Sequence, residues 1–375
     1  MFHLKQLIAA AVCLCLLAAA AFLCYTTLSS PAAADPEPES VQQEGAAGQD
    51  EQNESPDTAQ QPPEDKKDFI KWVDFNITAE AMSQAMKYDI DSHGSDRPIS
   101  WIDLLAYLAT RYGNDFKQYK SADMAALVEK LNAGQSMEDL TKDMKYFPYY
   151  QEAFTAVLGG MLGDYKVEYI PDENSGQKAW KTVYGLKAFS PIARGYDFGH
   201  YDDFGNKRSY GFARKHLGND LMGNIGTPII AVESGIVEAL GWNQYGGWRI
   251  GIRSLDNKRY YYYAHLRKDR PYHADLQEGS MVQAGDVIGY LGMTGYSTKE
   301  NVNNINVPHL HFGIQLIFDE SQKEGNNEIW IDCYEIVNFL QKNKSTVYKV
   351  PETKEYYRQF GFAELGTAGQ SPQEE

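Results

Sequence analysis

The sequence predicts a multidomain α + β chain with an N-terminal transmembrane helix, a disordered linker, a small all-α domain and a C-terminal antiparallel β-rich domain. Three observations carry this expectation. The uncharged run from Leu7 to Leu28 is about the length a helix needs to cross a bilayer core. Between about Ile70 and Tyr165, capping residues precede apolar stripes of helical period. After about Lys181, β-branched and aromatic runs alternate with glycine turns. The 375 residues then divide into a cytoplasmic tip and anchor (1–29), an acidic linker (30–66), a helical domain (67–180), a β-rich domain (181–348) and a tail (349–375).

Lys5 precedes the apolar run and an acidic segment follows it, which places the short N-terminal end in the cytoplasm and the remainder outside. The competing reading is a signal peptide cleaved near Ala32-Ala33-Ala34, but the apolar run exceeds the usual signal core. Residues 30–65 carry ten acidic side chains and almost nothing to bury, so they read as a self-repelling spacer. Of the 4 cysteines, Cys13, Cys15 and Cys24 lie in the apolar run, and Cys333 alone remains for the folded part. One cysteine closes no internal disulfide, and metal ligands there must be nitrogen and oxygen. A formal charge of −16 argues against a nucleic-acid partner, which requires a basic face.

In the helical segment, Ser100 can cap a helix with Asp103 three positions on, and Ile102, Leu105 and Leu108 form its stripe. Ser121 opens the next helix, with Met124, Leu127, Val128 and Leu131 on one side and Gly134 as its stop. Ser136 and Asp139 repeat the cap, and another helix is expected around Glu152 to Leu162. These stripes read as core, and the module's surface is left for envelope protein partners. Strands are expected at 228–232, 235–240, 248–252, 259–263, 286–291 and 311–316.

The chain has only 8 histidines, and four of them fall in three short segments of the β-rich part: His216 with Asp220, His265, and His309 with His311. The types and spacings are those of a catalytic zinc site, in which three protein ligands leave one position for water. A strand period of two puts His309 and His311 on one face of a sheet, so one can bind metal while its neighbour faces substrate. Gly218 and Asn219 favour a loop between His216 and Asp220. His265 ends the Tyr260–Tyr263 run, where a turn at the sheet edge could aim it into the same pocket. His3, His93, His200 and His273, by contrast, lack partners at ligand spacing, and Asp202 and Asp203 read as turn residues.

In this order the segments resemble the LytM/lysostaphin-type zinc endopeptidases, which cut peptides of bacterial peptidoglycan. The similarity runs from about Gly211 to Leu316. It includes Gly226-Thr227-Pro228-Ile229-Ile230-Ala231, the stretch from Gly285-Asp286 to Thr294-Gly295, and Pro308-His309-Leu310-His311-Phe312. The resemblance implies that His216, Asp220 and His311 hold Zn2+ and that His265 and His309 are the two catalytic, non-ligand histidines. His309 is then expected as base and His265 as oxyanion stabiliser. It further implies a membrane-anchored endopeptidase acting on a peptidoglycan peptide. The alternative is a catalytically silent envelope scaffold. One departure stands out: Lys299 to Val307 intervenes before the Pro-His-Leu-His motif, as a polar loop that could set substrate choice or cover the groove.

Overall fold

Helix punctuation is observed where capping residues promised it. The computed structural model describes residues 69–210, 212–323 and 327–365. The expected anchor, the linker and the last ten residues of the tail lie outside the described residues. No helix among the described residues is long and apolar enough to cross a membrane.

Five helices come first: α1 (Ala79–Ser92), α2 (Trp101–Tyr112), α3 (Ser121–Asn132), α4 (Met137–Thr141) and α5 (Phe147–Leu158). Ser100 caps α2 by accepting from the Asp103 N–H, and Gly113 ends it in the left-handed conformation. Ser136 caps α4 in the same way. Ser121 opens α3 as its first residue. α5 starts five residues before Glu152 because Pro148, which lacks an N–H, suits a first turn. α1, which the sequence reading did not single out, is capped by the Thr78 hydroxyl and buries Ala81, Met82 and Ala85.

Strands then follow: β1 (Leu162–Tyr169), β2 (Ala179–Leu186), β3 (Gly199–His200), β4 (Lys207–Tyr210), β5 (Phe212–Lys215), β6 (Asn219–Met222), β7 (Pro228–Ile230), β8 (Gly235–Asn243), β9 (Gly247–Ser254), β10 (Arg259–Ala264), β11 (Met281–Val282), β12 (Val287–Tyr290), β13 (His309–Leu316) and β14 (Ile329–Ile331). The short α6 (Tyr334–Leu340) precedes β15 (Val347–Lys349), β16 (Tyr356–Arg358) and β17 (Phe362–Glu364). The main sheet has eight antiparallel strands in the order β11-β8-β9-β10-β13-β6-β3, with β14 also on β13. Chain that was expected to belong to the helical module thus includes β1, and chain expected as a tail supplies β17, which pairs with β1.

Alternation along β10 separates core from groove. Tyr261 and Tyr263 are fully buried, while Tyr260 and Tyr262 line an open groove on the other face. Helices and sheets share one hydrophobic core, in which Leu104 and Phe154 join Ile252 and Phe312. A buried polar knot crosses it. Arg259 at the start of β10 is 0% exposed; its Nε and Nη2 donate to the two Glu233 carboxylate oxygens at 2.9 and 3.2 Å. Its Nη1 donates to the Ala156 carbonyl of α5 at 2.5 Å, and Tyr261 donates to Glu233 at 2.5 Å. The guanidinium therefore links a helix to the strand that leads to His265.

Candidate metal centre

Strand register positions the centre. β13 lies between β10 and β6, and His311 is directly opposite Asp220 of β6 and Ala264 of β10. His216 arrives from the turn between β5 and β6. Its Nε2 lies 2.7 Å from His311 Nδ1 and 3.1 Å from Asp220 Oδ1, and His311 Nδ1 lies 3.3 Å from that oxygen. A tetrahedral ion bonded at about 2.0–2.1 Å holds its ligand atoms about 3.3 Å apart. The two nitrogens and one oxygen therefore fit zinc after a relaxation of a few tenths of an ångström. Gly218 makes this approach feasible, because a Cβ there would lie 2.8 Å from His311 Cε1 and 2.5 Å from the Phe312 carbonyl.

His265 and His309 stand beside this trio, with ring centroids 4.8 Å apart. His309 Nε2 lies 3.6 Å from Asp220 Oδ1. Each ring is held by a carbonyl: His265 Nδ1 is 2.9 Å from Thr294 O, and His309 Nδ1 is 2.8 Å from Val307 O. A carbonyl only accepts, so both Nδ1 atoms carry the proton and both Nε2 atoms keep a lone pair. His265 sits at φ 63°, a conformation rare for a side-chain-bearing residue, in the turn closing β10. Gly295 is required next to it: at φ 127°, a Cβ would come within 2.5 Å of the Tyr245 carbonyl and 3.0 Å of His265 Nδ1.

Two partners carry no signal in the sequence. Asp203 places its carbonyl and one carboxylate oxygen 3.1 and 3.2 Å from His216 Nδ1, which fixes the proton there and leaves Nε2 for a metal. Arg208 Nη2 lies 2.7 Å from Asp203 and 3.1 Å from Asp220 Oδ2. An acid in a polar turn looks like any other acid until the chain folds back on it. Of the other described histidines, His200 contacts Asn338, His273 meets Tyr357 edge to face, and His93 stacks on Tyr184. Asn301 in the polar insertion accepts from Trp248 Nε1 and donates to Asp269, while Val307, at its end, is the carbonyl that orients His309.

Burial opposes charge on His216, yet the Asp203 and Asp220 carboxylates outweigh it and raise its pKa to about 9. The Asp220 carboxyl is also penalised by burial, but His216 and His311 hold it far below the usual carboxylate range. Burial lowers His311, with His216 and His309 adding to the effect against Asp220. Burial, with His309 and His311 adding to it, depresses His265 strongly and keeps it neutral. In metal-free protein the raised His216 pKa stabilises the fold fully below about 6.5, and this contribution is lost as pH rises through about 9. A metal must displace that proton. Zinc affinity is therefore expected to rise about tenfold per pH unit from pH 7 to about 9 and then flatten. Competition against a chelator at fixed ionic strength measures this, and a flat profile would contradict the assignment of His216.

The groove holds ≈ 540 Å³ and is lined by the trio, His265, His309, Tyr260, Tyr262, Gln315 and Trp330, among others. Two histidines and one carboxylate form a donor set that suits a metal ion with a position left open, and the Nε2 lone pairs of His265 and His309 stand beside it. Residues 214–325 match Peptidase family M23. The chain is 37% identical over 130 residues to L-Ala–D-Glu endopeptidase of Bacillus subtilis, covering 35% of this chain and 38% of that protein. It is 41% identical over 98 residues to lysostaphin of Staphylococcus staphylolyticus, 26% of this chain and 18% of that one. Peptidoglycan DD-endopeptidase ShyC of Vibrio cholerae is 33% identical over 165 residues, 42% and 31% of the two chains. The chain thus spans well under half of the length of each.

Proposed function

We propose that this protein is a zinc-dependent endopeptidase that hydrolyses a peptide bond in peptidoglycan. The observation that carries the reading is the meeting of His216, Asp220 and His311 with two imidazole acceptors at one groove. Two of the relatives are named as endopeptidases, one of them a peptidoglycan DD-endopeptidase, and these names support the substrate. His216, Asp220 and His311 hold zinc, which when bound polarises the scissile carbonyl and lowers the pKa of water.

The chain's own residues do the rest. The groove floor at Tyr260 and Tyr262 lays the peptide along β10. His309 Nε2, the nearer lone pair to the ligand cluster, takes the proton of the attacking water and returns it to the leaving amine. His265, expected from sequence to donate to an oxyanion, has its Nδ1 proton committed to Thr294 and no proton on Nε2 while neutral. It is assigned instead as a second acceptor that orients the water. The apolar run at residues 7–28 would tether this domain outside the cell, where the polymer lies.

Purified full chain should release new amine ends from isolated peptidoglycan, lose that activity with chelator, and regain it with zinc. Binding to the polymer without any new ends, at full zinc occupancy, would replace the enzyme with a scaffold.

A further inference from the structure

Four cations line the groove, and two of them have carboxylate partners; of the other two, Lys215 is exposed to solvent and Arg214 is half-buried. Arg208 pairs with Asp203 and Asp220, and Lys323 pairs with Glu238. Arg214, in β5 two residues ahead of His216, has no carboxylate in ion-pair reach among the described residues, and its Nη1 is buried without a hydrogen-bond partner. In a chain of net charge −16, acidic partners are plentiful elsewhere, so a bare guanidinium lining the cleft is a local choice. Its centre lies 4.7 Å from the Tyr245 ring centroid and 5.2 Å from that of Tyr296. Stacking on aromatic rings fixes the plane of a guanidinium and leaves its edge, the fork of donors, to meet a planar acceptor. Tyr296 in turn lies 5.8 Å from the His265 ring, so the fork stands one aromatic ring away from the proposed chemistry. Tyr296 itself holds φ 46°, uncommon for a bulky side chain.

We propose that Arg214 receives a free carboxylate of the substrate beside the scissile bond, so that the groove selects acidic stem peptides over neutral ones such as polyglycine. A carboxylate matches the fork with two parallel hydrogen bonds, whereas a carboxamide offers one acceptor oxygen and turns an N–H toward the cation. The inference rests on the peptidase reading and adds its substrate class.

The test uses zinc-loaded full chain and two peptidoglycan stem tetrapeptides that differ only in a free carboxylate or a carboxamide next to the cleaved bond. The kcat/KM ratio is expected to favour the carboxylate by about 10–100-fold. Arg214→Gln should bring the ratio to within about twofold of one, and Arg214→Lys should restore part of it. Equilibrium binding of the two peptides to metal-free protein gives the same ordering without turnover. Cleavage of both peptides by wild type at equal rates overturns the carboxylate assignment and leaves the peptidase reading standing; this outcome needs no variant to fold. A ratio unchanged in a folded Arg214→Gln overturns it too. Failure to cleave either peptide or whole peptidoglycan overturns both.

Discussion

His309→Ala is expected to lower peptidoglycan cleavage by about 10²–10⁴-fold while zinc stays bound at one equivalent. The substitution removes a lone pair beside Asp220 without removing a proposed ligand, since His309 Nε2 lies 3.6 Å from that carboxylate, farther than either ligand nitrogen. His265→Ala should lose a comparable factor, because it removes the second acceptor, which the Thr294 carbonyl holds in place. The double variant should fall little below the worse single one, as groups that act on one water are not additive. Metal content measured beside initial rates decides the matter. If either single variant retains more than about a third of wild-type rate, that histidine has no part in proton transfer. If zinc is lost along with activity, the ring is a ligand and the centre has been drawn wrongly.

Arg259→Leu is expected to destabilise the folded unit by about 3–5 kcal/mol, the range found when one partner of a buried ion pair is removed. The cost comes from what stays behind. Glu233, 5% exposed, would retain its charge with only the Tyr261 hydroxyl to meet it, and the Ala156 carbonyl would lose its donor. Removing both charges with Arg259→Leu and Glu233→Leu should recover much of the loss, since a well-packed apolar pair can replace a buried salt bridge. Gly160 makes room for the native knot, because a Cβ there would overlap the Glu233 and Arg259 side chains. Urea denaturation at fixed zinc concentration measures the difference. A single variant within about 1 kcal/mol of wild type would show that the knot is solvated in solution.

Much of this site was legible because its chemistry is written in residue type and its geometry in strand period. His309 and His311 two apart on a strand, and the turn ending a tyrosine run at His265, needed no coordinates to be suspected. The six expected strands of the β-rich part are observed with shifted ends. What sequence did not carry is pairing between distant segments. The register that sets Asp220 opposite His311, the fold-back that puts Asp203 and Arg208 behind His216, and the Val307 carbonyl under His309 are consequences of tertiary closure. The oxyanion role expected for His265 depended on a proton whose location only its neighbours could fix. Nor does any local pattern near Phe362 announce that it belongs beside Val167.

That last pairing bears on assembly. Residue 167 cannot find its edge partner until residue 362 has left the ribosome, so the three-stranded sheet that follows the helices stays incomplete through the synthesis of the entire β-rich segment. Until then β1 presents a bare rim of peptide groups, open to capture by another copy. A chain shortened by a dozen codons before Phe362 would keep every histidine and still leave that rim exposed for good.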